Sequence, residues 1–597
     1  MNYYCNPLNL PYKYQFYEIE EKIIASREAA DPSMVLFQGR YYLFLSMTVG
    51  FYTSMDLVEW EFHTFHQEMP VYDYAPDVRV IGPYLYFCAS GAGGEKACSF
   101  YRTTDPINVP FEEIEGPFPF WDPNLFADDD KRLYLYWGCS NTMPIYGVEL
   151  NPETMKPIGE PLGLIAARDT EIGYERNGEG HVPPKTPEMM EESLLKMVKM
   201  IPGITTVDEL PERVTTMILA GNNPYMEGPW MTKHQGVYYL QYAAPGTLYN
   251  VYADGVYQGV SPLGPFTLAK NNPFSYKPGG FITGAGHGST MEDRDGRWWH
   301  TSTMVISINH QFERRIGLWP AGFDADGELF CDQRFGDWPA RIDQKPWEQP
   351  DWMLLSYGKD VKTSSGIGAE HIVDENIRTW WSAGSAKLGE WVEIDLGKVY
   401  DIRAVQINFA DDHLEGVLPE GAELKGKYSN KRFIDEVHQV TRWKLEGSAD
   451  GIHYSVLEDK SETETDLSHD LIVKEDGVNY RFIKLTVMEL PYGQPAHVSG
   501  LRIFGKGNGV LPEVSDVRTE QTSELDLYVS WTAKEAAGIN ILWGFAPDKL
   551  YHNYMVFGKS RQKIGALIKG EPLYLRVDAF NETGIIEGEV IEVSFRL

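Results

Sequence analysis

Gly39-Arg-Tyr-Tyr-Leu-Phe-Leu-Ser46 sets a theme that the chain repeats four more times. The other versions are Gly82-Pro-Tyr-Leu-Tyr-Phe-Cys-Ala-Ser90, Lys131-Arg-Leu-Tyr-Leu-Tyr-Trp-Gly138, Gly236-Val-Tyr-Tyr-Leu-Gln-Tyr-Ala243 and Gly296-Arg-Trp-Trp-His-Thr-Ser-Thr303. Each is a turn followed by an aromatic-rich, β-prone run, the pattern of a hairpin's second strand. Recurrence at roughly 40 to 60 residues is the period of a β-propeller blade. Five such units predict a ring of four-stranded sheets around a central channel.

The polar residues upstream of the repeats carry the chemistry. Asp31, Asp122, Glu227 and His287 each precede their repeat by about eight or nine positions, a near-constant phase in the repeat unit. Equal phase predicts equal position in the blade, on or beside the innermost strand, so the four side chains should converge on the channel. Convergent carboxylates in a depression are how general acid–base chemistry is built. Asp77 precedes the second repeat by only about five positions and is out of phase. An Asp before Pro, as at 31 and 122, also caps turns through its side-chain oxygen. The shared phase is what separates the two readings.

A chain of 597 residues exceeds a single core and predicts several domains. With 43% hydrophobic and 13% aromatic residues it is globular. A net charge of −33 argues against nucleic acid and anionic membranes as partners and leaves neutral sugars open. Cys5, Cys88, Cys98, Cys139 and Cys331 include no close Cys-x-x-Cys pair, so a cysteine zinc site is not expected. Their odd number and wide spacing predict free thiols and a reducing, cytoplasmic setting. The start of the chain has no signal-peptide pattern. A secreted or periplasmic protein whose signal had been removed is the alternative.

The repeats end near Gly327-Glu-Leu-Phe330, and a Trp- and Pro-rich passage from Asp337-Trp-Pro339 to Gln349-Pro-Asp-Trp352 reads as a packed linker. The expected division is residues 1–345 for the propeller, 346–508 for one β-sandwich and 509–597 for another. A helical insertion at about 165–220 is predicted from Glu188–Met200, whose apolar spacing is helical and which Pro187 and Pro202 bracket. His181, in the same insertion, is a weaker candidate for substrate contact.

Around 355–506, the Asp374-Glu-Asn-Ile-Arg-Thr-Trp380 run and the Asp395-Leu-Gly397 strand end resemble the discoidin (coagulation factor 5/8 C-type) domain. That resemblance implies a β-sandwich. A structural calcium ion in one loop, and sugar binding through Trp380, Trp381, Tyr428 or Tyr492, are compatible with it, with Trp381 expected in the core. Leu527-Tyr-Val-Ser-Trp531 and the Tyr574–Gly584 strand resemble a fibronectin type III module.

The motifs Ala30-Asp-Pro-Ser33, Ala75-Pro-Asp-Val78, Trp121-Asp-Pro-Asn124, Glu227-Gly-Pro-Trp230 and Gly284-Ala-Gly-His-Gly288 together resemble glycoside hydrolase family 43 over about residues 20–345. The resemblance implies an all-β, five-bladed propeller whose enzymes invert anomeric configuration and require no cofactor. Residue by residue it implies Asp31 as general base, Asp122 as the carboxylate that orients and tunes the acid, and Glu227 as general acid. It further implies His287 near the channel floor, with a metal there as an alternative role, and Arg314 as a substrate-binding arginine. Trp121 is expected either to stack on a sugar or to pack between blades. Of Trp298 and Trp299, alternation along a strand puts one in the core.

The expected substrate is an oligosaccharide or polysaccharide bearing a terminal furanose or pentose. α-L-Arabinofuranosidase and β-D-galactofuranosidase lead, β-xylosidase is the alternative, and a carbohydrate-binding protein without catalysis is the alternative of another class. The first motif, Glu28-Ala-Ala-Asp-Pro32, lacks the Trp-x-Asn-Asp-Pro pattern of retaining fructan hydrolases. All three carboxylates needed for inverting hydrolysis are present.

Overall fold

The computed structural model describes residues 2–594 apart from 20, 73, 92–95, 178–183, 417 and 427–430, so His181 and Tyr428 lie outside the described residues. Among the described residues, five four-stranded antiparallel sheets follow one another along the chain. Their first strands are Ser33–Phe37, Asp77–Ile81, Asn124–Ala127, Glu227–His234 and Thr283–Glu292. The five aromatic repeats are their second strands: Arg40–Phe44, Tyr84–Cys88, Leu133–Trp137, Val237–Ala244 and Trp298–Val305. First strands touch in ring order, with the fifth against the first. This is the five-bladed propeller that the repeats predict.

Packing explains why the second strands are continuously apolar. A blade is covered on both faces by its neighbours, so alternation disappears, as in any doubly buried strand. Leu133, Tyr134, Leu135 and Tyr136 are all buried. Phe44 stacks on Phe51 within its own blade at 4.9 Å and meets Phe87 of the next at 5.8 Å. The outer strand Glu112–Ile114 faces solvent and loses the pattern. Trp299 is buried, whereas Trp298 is half-buried against Phe323 and His234, as alternation requires.

The insertion carries two α-helices, α1 (Pro187–Met200) and α2 (Glu212–Leu219). Thr186 caps α1 by accepting from the Met189 N–H, and Pro187 sits where its missing N–H costs nothing. At eight residues α2 is too short for periodicity to reveal. Asn141 Nδ2 donates to the Met217 and Ala220 carbonyls (2.9 and 2.7 Å), tying the end of α2 to the loop after the third blade's second strand.

The chain then builds a bent eight-stranded sheet whose two longest strands, Glu390–Phe409 and His469–Glu489, run through both layers of a sandwich. Trp381 is in its core. The last segment forms a three-stranded and a five-stranded sheet packed together. Its core is continuous with Tyr174, Tyr242 and Tyr276 of the propeller. Trp338 and Trp352 of the connecting passage are buried with Tyr3, Phe504 and Phe580, so one apolar cluster joins all three parts.

The hairpin Tyr14–Ile19/Lys22–Arg27, which leads into the first blade, does not pair within the propeller. It is flanked by Leu414–Glu415 and Arg432–Ile434 from the discoidin-like region in an antiparallel four-stranded sheet. Arg27 bridges Asp411 (3.0 Å) and Asp466 (2.8 Å) at this junction. Tyr492, which is exposed, sets its ring edge-on to Tyr14 and Phe16 there and hydrogen-bonds Asp435.

Candidate active site

All five blades present a residue with left-handed backbone at the same place beside the first strand. They are Asp31, Ala75, Asp122, Gly228 and His287, with φ of 50°, 51°, 45°, 56° and 49°. Non-glycine residues adopt this region rarely, chiefly in turns and at functional sites. In four blades the next residue is proline, which disfavours right-handed α for its predecessor. The strained N–H groups are satisfied in a repeating way. Asp31 N donates to Thr303 Oγ1 (2.9 Å), Ala75 N to Ser46 Oγ (2.7 Å) and Asp122 N to Ser90 Oγ (2.9 Å). Each hydroxyl belongs to the preceding blade's aromatic repeat. Asp77 lies two residues beyond this place. Its carboxylate accepts from Asn124 Nδ2 and Leu125 N, pinning the second blade to the third.

The polar groups at four of these places meet. Asp31, buried, accepts from Ser46 Oγ (2.5 Å) and Arg314 Nη1 (3.3 Å). His287 Nδ1 stands 3.3 Å from Asp31 and 3.8 Å from Asp122. Glu227 immediately precedes the left-handed Gly228, whose N–H donates to Asp122 Oδ2 at 3.3 Å. A Cβ at Gly228 would come within 2.6 Å of the His287 ring, so only glycine fits between the two groups. Glu227 accepts from Tyr252 OH (2.5 Å) and from the Cys139 thiol (3.4 Å). Oxygens of Asp122 and Glu227 and the Cys139 sulfur lie within 4.8 Å of one another.

Electrostatics makes the carboxylates unequal. Burial would raise the Asp31 carboxyl, but the Arg314 guanidinium and His287 outweigh it and hold it below the usual carboxylate range. Burial pushes Asp122 up to about 7; His287 opposes this, while Glu227 and Asp31 add to it. Burial would lower His287, yet Asp31, Asp122, Glu227 and Asp254 raise it. The site therefore favours the ionised form of Asp31 and the protonated form of His287, and holds a proton at Asp122 near neutrality.

This arrangement predicts a measurable effect on stability. The folded value of Asp122, about 7, lies above its ordinary value of 3.8. The native state then binds the extra proton between these values. Stability contributed by the neutral carboxyl is lost as pH rises from about 4 to about 7. Asp122→Asn removes that penalty, on the order of a few kcal/mol. Calorimetry should show the variant melting above the parent at pH 8, with the gap closing towards pH 4. A lower Tm for the variant at pH 8 would contradict the assignment.

The sequence-predicted Asp31, Asp122, Glu227, His287 and Arg314 are brought together. Trp121 is half-buried and lines a neighbouring cleft of about 510 Å³ with Trp137, Tyr146, Cys139 and Arg213. Another cavity of about 650 Å³, between the N-terminal segment, first blade and discoidin-like region, contains none of these acids. Among the described residues, the cluster with metal-ligand spacing is Asp122, Cys139 and Glu227, and none forms around His287. Burial raises the Cys139 thiol far above its ordinary range, so it stays protonated and donates to Glu227. That suits a hydrogen-bonded acid pair and does not suit a cation.

Sequence reasoning missed Tyr252, Cys139, Glu28 and the support beneath His287. There, Asp254 accepts from the His287 and Gly288 N–H groups (2.7 and 2.9 Å) and pairs with His300 (3.0 Å). The hydroxyls that hold Asp31 and Asp122 were visible, since Ser46, Ser90 and Thr303 end three of the repeats.

The family model of glycosyl hydrolases family 43 matches residues 21–180 and 182–329, more than half of the chain, and the chain belongs to that family. It is thus a glycoside hydrolase of the inverting kind, in which an Asp serves as base and a Glu as acid. The model of a NedA-like, galactose-binding domain of the F5/F8 type C group matches residues 371–485. The chain is 24% identical to a xylosidase/arabinosidase 43A of Humicola insolens over 355 residues, 52% of this chain and 98% of the relative. A solved structure similar to it is the GH43 BlXynB protein of Bacillus licheniformis: TM-score 0.39, 16% identity, 84% of this chain and 98% of the other. Another is a Bacteroides ovatus xyloglucan GH43B protein, with TM-score 0.41, 14% identity and the same coverage. No helix among the described residues is long and apolar enough to cross a membrane.

Proposed function

We propose that this enzyme removes a terminal furanose or pentose, as an α-L-arabinofuranosidase or β-D-galactofuranosidase, with β-xylosidase as the alternative. The observation that carries the reading is the unequal trio of acids around His287. Asp31, kept ionised by Arg314 and His287, takes the proton of the attacking water. Glu227, hydrogen-bonded by Tyr252 and Cys139, gives its proton to the departing oxygen. Asp122, which shares a hydrogen-bonded corner with Glu227 and is half-protonated near pH 7, orients the acid and resupplies its proton. Direct displacement needs room for one water, a carboxyl separation of about 6.5–9.5 Å. Acid and base from the fourth and first blades suit that spacing.

A neutral substrate fits the acidic chain, since polyanionic glycans would be repelled. The aromatic cleft of Trp121, Trp137 and Tyr146 begins at Cys139, on the acid's side, and suits the leaving group. The name of the Humicola relative supports a pentose. Hydrolysis of aryl glycosides of arabinofuranose, galactofuranose and xylopyranose tests the sugar. Arabinofuranoside or galactofuranoside should be cleaved fastest, and NMR should show the first-formed sugar with the anomeric configuration opposite to the substrate. Net retention would overturn the mechanism, and a preference for xylopyranoside would move the assignment to β-xylosidase.

A further inference from the structure

The active-site acids do not end the network. Arg432, in the strand that the discoidin-like region lends to the N-terminal hairpin, is buried and donates through Nη1 to Glu28 Oε2 (2.5 Å) and Gln15 Oε1 (3.2 Å). Its Nη2 hydrogen-bonds the Tyr74 hydroxyl. The other oxygen of Glu28 accepts from Arg314 Nη2 at 3.1 Å, and Arg314 Nη1 reaches Asp31 at 3.3 Å. Glu28, Arg314 and Asp31 are all buried. We propose that Arg432 is a positioning residue for the base: through Glu28 it fixes how Arg314 is shared between Glu28 and Asp31, so the discoidin-like domain is a working part of the propeller's active site.

The charge count explains the coupling. Two guanidinium groups alternate with two carboxylates in a line from Arg432 to Asp31. Burial raises the Glu28 carboxyl despite both guanidinium groups; without Arg432 it keeps one cationic partner and, while ionised, draws Arg314 away from Asp31. The base then gains proton affinity and loses its fixed position. The groups facing Asp31 are Arg314, His287, Ser46 and the Ala75 N–H, with Asp122, Glu28, Tyr74 and Tyr252 beyond them. Those facing Arg432 are Glu28, the rings of Tyr74, Tyr17 and Phe312, and, more distantly, His310. Burial, reinforced by Arg432 and Arg314, lowers His310 to about 3, so it stays neutral and does not compete. A merely architectural contact between domains would not need this alternation.

The inference rests on Asp31 as base, and the test separates the two. The pH profile of kcat/KM is measured on the full chain with an aryl glycoside that it cleaves, for the parent, Arg432→Gln, Arg432→Lys and Glu28→Gln. Arg432→Gln should move the acidic limb upward by about one pH unit, and Arg432→Lys, which keeps the charge, should move it less. Glu28→Gln leaves Arg314 wholly to Asp31 and should move the limb downward. These opposite signs cannot come from general destabilisation. Should Arg432→Gln fail to fold, the other two variants carry the sign test. Limbs that stay at the parental pH in folded variants, while Asp31→Asn is inactive, overturn the role of Arg432. Parental turnover by Asp31→Asn overturns the reading of the base instead.

Discussion

Glu227→Gln should cut kcat on glycosides with sugar leaving groups about 10³-fold while the protein melts as before. The replacement keeps an oxygen for the Tyr252 hydroxyl but has no proton to give the departing oxygen. A leaving group that needs no proton should escape the defect. With a dinitrophenyl glycoside the variant should recover most of the parental rate. If the dinitrophenyl and sugar leaving groups suffer equally, Glu227 is not the acid.

Asp31→Ala should cost more, about 10⁴-fold, and no leaving group should restore it. The missing function is activation of water, which every substrate requires. Azide needs no deprotonation and can occupy the space vacated beside the Arg314 guanidinium and the His287 ring. Azide should therefore restore turnover, and the product should be the glycosyl azide of inverted configuration. Azide rescue of Glu227→Gln but not of Asp31→Ala would exchange the two roles. The pair of variants separates acid from base by chemistry, which loss of activity alone does not.

The ring was legible in the sequence because each blade carries its own copy of the aromatic strand, and doubly buried strands leave an unbroken apolar run. The phase of Asp31, Asp122, Glu227 and His287 pointed, for the same reason, to side chains that the ring brings together. Short elements escaped: α2 spans too few residues for a helical period to stand out. Tyr252 and Cys139 escaped because their positions have no counterpart in the repeat pattern. Glu28 and Arg432 could not be paired from sequence, since 404 positions separate them and only the fold brings a strand of the sandwich to the hairpin before the first blade. The His181 and Tyr428 expectations fall outside the described residues.

The left-handed place recurring in all five blades separates two kinds of change over the history of such a chain. The backbone there is fixed by the following proline or glycine and by a partner for the N–H, whatever the side chain. Reactivity can therefore drift one copy at a time, with Asp, Ala, Asp, Gly and His now in the five copies and Glu227 one step aside in the fourth. Ala75 is the unused copy. It already has the dihedral angle and, in Ser46, a hydroxyl partner for its N–H of the kind that Asp31 and Asp122 have, so a new group at that position would inherit a finished mounting.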